Sequence, residues 1–258
     1  MLKKAKHATI STMQVTHGVF FCLLIATALP LLHAGDVSNI PPVGIIGAGR
    51  LGSHLAATWS QQGVDVLLSS SSNSAHEIVA ALSKGHGYTD TTKGIDIEPF
   101  HVTPNAALVA GSVEEAASRH VVVLCTPFPA TANIIASMKQ RLQDRAVIVI
   151  DMTNPFYSGP GLPSNGKQSA AQIHQDVLGD VTASWAVAYK HTNHRFIYPS
   201  STEARLVHVA GDQRAKAVAI ALVKSHGFRV LDHGGLEQAV KLEPGRRRNF
   251  QEGEDGDL

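Results

Sequence analysis

The sequence predicts an α/β fold: a doubly wound parallel sheet with helices on both faces and a small C-terminal extension. Three observations lead there. Runs such as Val121 to Cys125 and AVIVID at 146–151 are apolar on consecutive positions, as strands covered on both faces require. Strand-like and helix-like stretches alternate from residue 43 onward, the order of repeated β-α-β units. The first unit turns through VGIIGAGRLG, residues 43–52, where an apolar run stops in three glycines.

Taken in order, Val43 to Gly47 reads as a short strand, Leu51 to Gln62 as a helix, and Val64 to Ser69 as a second strand closed by a run of serines. Asn73 to Lys84 is helical in pattern, and the polar, glycine-containing segment from Gly85 to about Phe100 reads as a loop insertion. Ser112 and Glu115 have the spacing of a capping box, so a short helix should run to about Arg119, ahead of the strand at Val121. A helix at Ala130 to Leu142 leads to the strand at 146–151, and a Gly/Pro/Ser-rich loop follows as far as Lys167. A helix at Ser169 to Leu178 and a strand near Trp185 to Tyr189 complete the sheet. The last part reads as a strand (Arg205 to Ala210), a helix (Gln213 to His226) and a short strand (Phe228 to Leu231).

At 258 residues and 44% hydrophobic, the chain can bury a sizeable core, which excludes a disordered protein. With 22 basic against 21 acidic residues it has no general attraction to nucleic acid or anionic membrane, so a partner must be argued from a site. Two cysteines, Cys22 and Cys125, supply neither a disulfide framework nor a zinc site; Cys125, on an apolar strand, reads as a packing residue. His191 and His194 have a ligand-like spacing without further ligands, so no metal is assigned.

The chain divides into a signal-like segment at 1–34, a linker at 35–42, a nucleotide-binding domain at 43–190, a small C-terminal part at 191–245 that faces the acceptor, and a charged tail at 246–258. Lys3, Lys4 and Lys6 precede the apolar core Val19 to Leu32, which has the length of a signal peptide and is short for a bilayer span. The expectation is a secretory or organellar location with no stable membrane span in the mature form; a mis-assigned start would leave the protein cytoplasmic.

Gly47-Ala48-Gly49-Arg50-Leu51-Gly52 fits Gly-x-Gly-x-x-Gly between a strand and a helix, with a second strand about a dozen residues on. In a Rossmann dinucleotide fold, Gly47 gives the tight turn, Gly49 lets backbone N–H groups approach a pyrophosphate, and Gly52 lets the helix pack on the strand. The second strand ends in Ser69, Ser70, Ser71 and Ser72 where an NAD enzyme carries an acid, so NADP is favoured over NAD. The arginine that usually accompanies a 2′-phosphate is missing from this run, and Arg50 is the candidate to replace it.

From this point the chain resembles the NADP oxidoreductases of the deazaflavin (coenzyme F420)-dependent family, whose relatives include the cytosolic oxidoreductase domain of ferric reductases. The resemblance covers about residues 43 to 243. It is carried by VGIIGAGRLG, the strand ending in Ser69-Ser70, VVVLCTPF at 121–128, VIDMTNPF at 149–156, SAAQIH at 169–174, VAGD at 209–212, and GFRVLDHGGLEQAVKLEP at 227–244. It implies that Ala48, Gly49, Arg50 and Leu51 wrap the pyrophosphate and that Ser70 contacts the 2′-phosphate, with Ser71 where the family commonly has arginine. It implies that Thr126 and Pro127 lie beside the ribose and nicotinamide, and that Asn154 and Pro155 form the turn after the fifth strand. Ala188-Tyr-Lys-His-Thr192 aligns with the family's segment after the sixth strand only with a one-residue shift, which brings in His191 and Thr192.

The implied reaction is direct hydride transfer between NADPH and a flavin-like acceptor, with FMN, FAD or a deazaflavin as second substrate, and a homodimer completing the site by analogy. Trp185 and Tyr189, four apart, suggest one face of a strand and offer a stacking platform for that acceptor. The alternatives are reduction of a small imine or carbonyl, and a non-catalytic NADP-binding redox sensor.

Overall fold

The computed structural model describes residues 37–99, 107–142, 146–155, 167–179, 182–197 and 205–243. The signal-like segment, the loop at 156–166 and the charged tail lie outside the described residues. No helix among the described residues is long and apolar enough to cross a membrane.

Among the described residues ten strands and six α-helices follow one another as β1 (Val43–Ile46), α1 (Arg50–Gln61), β2 (Val66–Ser69), α2 (Ser74–Leu82), β3 (Tyr88–Asp90), β4 (Ile95–Ile97), β5 (Leu108–Gly111), α3 (Val113–Ala117), β6 (Val121–Leu124), α4 (Phe128–Leu142), β7 (Val147–Asp151), α5 (Ala170–Leu178), β8 (Ala183–Val187), β9 (Leu206–Gly211), α6 (Gln213–Ser225) and β10 (Arg229–Asp232). Eight of the strands form one sheet in the order β10-β9-β8-β7-β6-β1-β2-β5. From β5 to β8 every pairing is parallel, the doubly wound arrangement that consecutive apolar positions demand. The strand order reverses between β1 and β6, the switch point at whose carboxyl ends open α/β sheets bind ligands.

The structure departs from a purely parallel sheet at one edge. β9 pairs antiparallel to β8, and β10 then runs parallel to β9. The stretch expected as a separate C-terminal part therefore extends the same sheet. Gly211, at the end of β9, sits at φ 152°, and a Cβ there would lie 2.4 Å from the Trp185 carbonyl oxygen. Asp212 then accepts the Trp185 N–H at 2.8 Å, so VAGD pins β9 and the start of α6 to β8.

The segment from Gly85 onward is not a plain loop. Tyr88–Asp90 and Ile95–Ile97 form an antiparallel hairpin, closed by Asp90, whose carboxylate accepts from the Thr92 and Lys93 N–H groups at 3.0 and 3.1 Å. Ile95 and Ile97 are buried against the core. The predicted cap forms as the sequence proposes. Glu115 N–H donates to the Ser112 hydroxyl at 3.1 Å and Ser112 N–H to the Glu115 carboxylate at 2.7 Å. Ser169 and Gln172 repeat the device on α5.

Two apolar clusters cover the sheet. One joins Ile45, Val123 and Ile150 to Leu55 and Trp59 of α1 and to Leu222 of α6; the other joins Ile46, Val122 and Val149 to Ile135 and Met138 of α4 and to Leu178 of α5. In the first cluster His226 stacks on Trp59 at 5.9 Å, meets Phe228 edge-on, and lies 2.8 Å from the Tyr189 hydroxyl through Nδ1. Burial pushes the His226 imidazole down to about 3. As pH falls below the unfolded histidine pKa of about 6.5, the unfolded chain takes a proton that the folded ring refuses, so stability declines. His226→Phe should flatten that acid limb, sparing about 2 kcal/mol near pH 5; urea midpoints measured between pH 7 and 5 check it.

Candidate functional site

The carboxyl ends of β1, β6 and β7 lie side by side, with Ile46 opposite Leu124 and Leu124 opposite Asp151. Three turns meet at this rim: 47–52, 125–128 and 152–155. In the first, each glycine meets a different environment. Gly47 has φ 115°, and a Cβ on it would lie 2.8 Å from the Cys125 carbonyl. A Cβ on Gly52 would fall 2.0 Å from the Gly47 oxygen. A Cβ on Gly49 would meet nothing within 4 Å, and its φ of −85° is open to any residue. The protein's own packing therefore explains two of the glycines and leaves the third, which faces open space.

Gly49 is also the N-cap of α1, with no side chain capping the helix and no acid in its first turn. The positive end of a 12-residue helix is thus presented to that space by backbone alone. Ala48 is buried in the core and offers only its backbone, Leu51 packs against the same core, and Arg50 is exposed. Arg50 Nε donates to the Lys93 carbonyl at 2.8 Å, and its guanidinium lies against Gly94. The β3–β4 hairpin, which sequence reasoning missed, holds this arginine beside the glycine turn. His54 adds a second tie between α1 and the hairpin through its Nε2 contact with the Asp96 carbonyl at 2.8 Å.

The serine run separates into distinct roles. Ser69 is fully buried and donates to the Ile45 carbonyl at 3.1 Å. Ser70 donates to the Ser72 carbonyl and accepts from the Ala75 N–H at 3.2 Å, closing the approach to α2. Ser71 is exposed.

At the other end of the rim, the Thr126 hydroxyl meets Thr131 at 2.8 Å, and Pro127 is exposed at the start of α4. Asn154 Nδ2 donates to the Lys190 carbonyl at 3.0 Å while its Oδ1 is enclosed with no partner among the described residues; Pro155 is buried. Cys125 lies 3.9 Å from the Met152 sulfur, and burial with the nearby Asp151 charge holds its thiol well above the usual range.

Beneath these turns is an ionic cluster that the sequence did not disclose. Asp151, at the end of β7, meets His174 Nδ1 of α5 at 2.6 Å and Lys190 Nζ at 3.3 Å, and all three are at most 3% exposed. Its Oδ1 also accepts from the Thr153 N–H and hydroxyl at 2.7 and 2.8 Å. Burial alone would raise the Asp151 carboxyl, but the Lys190 charge and the His174 and Thr153 hydrogen bonds outweigh it and hold the group well below the carboxylate range. Lys190 Nζ also donates to the Thr153 carbonyl. Together with Asn154, it locks the turn after β7 to the turn after β8.

The shifted family segment lands on that second turn. Tyr189, with φ 55°, is the one non-glycine residue at positive φ among the described residues. Its ring and that of Trp185 are both buried, in opposite clusters, so they share no face and form no stacking platform. The left-handed residue after β8 breaks the strand alternation on which that expectation stood. His191 packs edge-on to His208 at 5.9 Å, and Thr192 N–H donates to the Tyr189 carbonyl at 3.1 Å. His194 turns instead toward His54 on α1 at 5.4 Å. Burial, then the neighbouring His54 and Arg50, push its ring down to about 4.

Residues 42–155 match the model of the family described as NADP oxidoreductase, coenzyme F420-dependent. That span contains the glycine turn, the serine run, the hairpin and the turns after β6 and β7. No curated protein matches the chain in sequence. Among solved structures, a hypothetical protein from Sinorhizobium meliloti is similar at a TM-score of 0.59 and 20% identity, over 81% of this chain and 92% of that one. A 3-hydroxyisobutyrate dehydrogenase from Mycobacterium tuberculosis is similar at 0.54 and 12% identity, over 78% of this chain and 57% of that one. A reductive aminase from Aspergillus terreus gives 0.51 and 13%, over 79% and 58%. These likenesses are of fold, and the chain spans a little over half the length of the last two proteins.

Proposed function

We propose, from the match of residues 42–155 to the model of the coenzyme F420-dependent NADP oxidoreductases, that the chain moves a hydride between NADPH and a flavin or deazaflavin acceptor. The observation that carries this reading is Gly49, a glycine that neither backbone strain nor packing requires, set at an uncapped helix start. A ligand whose pyrophosphate comes close to the backbone gives it a reason. In this reading the N–H groups of Gly49, Arg50 and Leu51 hold the pyrophosphate. Arg50 and Ser71 face the 2′-phosphate, and the turns at Thr126-Pro127 and Asn154-Pro155 wall the nicotinamide.

NADPH, when bound, supplies the hydride from its nicotinamide C4. The chain's task is to hold two flat rings at about 3 to 3.5 Å, which needs fixed turns more than an acid or base. The Lys190, Asp151 and Asn154 ties supply that fixity. A small imine or carbonyl acceptor would need a proton donor at the reacting atom. Among the described residues, His174 and Lys190 are enclosed and bound to Asp151, so neither is free to give that proton, which supports the flavin-type acceptor.

Following NADPH absorbance with FMN, FAD and a deazaflavin tests the proposal: turnover of one of them supports it, and NADPH binding without turnover of any moves the reading to a redox sensor. Arg50→Gln should lower the preference for NADPH over NADH by about tenfold, as loss of a charge-assisted phosphate contact does. Calorimetric Kd values for both nucleotides check this, and an unchanged ratio removes Arg50 from the role.

A further inference from the structure

The rim opposite the glycine turn brings together two arginines and a histidine. Because β9 runs antiparallel to β8, the helix that follows it begins where β6 and β7 start, not where they end. Arg214, in the first turn of α6, lies there with Arg119 and His120, the two residues ahead of β6, and with Ala146 and Val147 at the start of β7. These residues line a cavity of about 320 Å3, and no carboxylate is among its described lining residues.

Among the described residues Arg214 is fixed by one contact, Nη2 to the Ala146 carbonyl at 2.8 Å, and its enclosed Nε has no acceptor. An enclosed guanidinium nitrogen without an acceptor is costly, and a cation at a helix N-terminus is opposed by the helix dipole. The Asp212 carboxylate does not cap α6 but is taken by the Trp185 N–H. A bound anion would relieve both penalties, and two guanidinium groups match the oxygens of a phosphate in geometry as well as charge.

We propose that this cavity binds a multiply charged oxyanion of phosphate type, with Arg119, Arg214 and His120 as its ligands. The source is either inorganic polyphosphate or the phosphate end of a small metabolite, and the cavity volume admits both. The site stands whether or not the glycine turn binds a nucleotide, since the two occupy opposite rims of the sheet.

Calorimetry on the full chain carrying Gly49→Val, which blocks the other rim, tests it with inorganic pyrophosphate in one arm and phenyl phosphate in the other. One binding event is expected, weakened about tenfold by Arg119→Gln or Arg214→Gln and lost in the double variant. Tighter pyrophosphate points to the inorganic source and tighter phenyl phosphate to a metabolite. The proposal is overturned if neither probe binds at millimolar concentration, or if folded Arg119→Gln and Arg214→Gln proteins bind as the parent does.

Discussion

Gly49→Val is expected to lose NADPH affinity by about 100-fold or more while stability changes by no more than about 1 kcal/mol. Its Cβ would enter open space from a backbone conformation that valine adopts freely, so the folded chain has nothing to resist it. The same added bulk stands where the pyrophosphate would approach the N–H groups of α1. Gly52→Ala is the internal contrast. Its methyl would fall 2.0 Å from the Gly47 oxygen, and separating α1 from the turn to make room should cost about 3 kcal/mol. Urea unfolding and calorimetry on both variants separate a glycine held for a ligand from one held for packing. A stable Gly49→Val protein with undiminished NADPH affinity would remove the ligand from the explanation of this turn.

Lys190→Met should cost about 3 to 5 kcal/mol, because it leaves the Asp151 carboxylate enclosed with only His174 and Thr153 to compensate it. Adding Asp151→Leu should recover part of that loss, since an apolar replacement for the whole pair strands no charge. The pH dependence follows from the depressed Asp151 carboxyl. Its contribution is complete above the unfolded carboxylate pKa of about 3.9 and is lost as pH falls toward the lower folded value. The Lys190→Met protein should therefore show a weaker acid dependence below about pH 4. It should also bind nucleotide less tightly, because the Thr153 carbonyl loses its bond from Nζ and the Asn154 bond to the main-chain carbonyl of residue 190 alone ties the turn to the one after β8. Equal stability of parent and Lys190→Met would mean that the cluster is solvated and does not brace the site.

The doubly wound core was legible because central strands are apolar over consecutive positions, as in Val121–Leu124 and Val147–Ile150, and because α1 opens on a glycine turn and α3 on a capping pair. Ser112 with Glu115, and the three glycines of residues 47–52, are local signals, and local signals survive without tertiary context. The β3–β4 hairpin was not legible. Its strands are three residues long, and Tyr88-Thr-Asp with Asp90-Thr-Thr-Lys-Gly94 reads as polar loop until Ile95 and Ile97 are seen against α1. The antiparallel turn of β9 was hidden because strand direction leaves no mark in composition.

The ionic cluster was hidden by distance along the chain: His174 and Lys190 lie 23 and 39 residues from Asp151. The one hint was a charged residue closing each of two apolar runs, Asp151 after VIVI and Lys190 after AVAY. A charge at the buried end of a strand needs a counter-charge from a neighbouring element. For the serines, sequence could mark the end of β2 but could not separate the enclosed Ser69 from the exposed Ser71, which depends on how β2 pairs with β1.

The most direct measurement is a calorimetric titration of the full-length protein with NADPH, and in parallel with NADH. The account predicts one site per chain, with NADPH bound more tightly than NADH. A folded protein that takes up neither nucleotide would contradict it and leave GAGRLG as a turn that serves only the packing of α1 on β1.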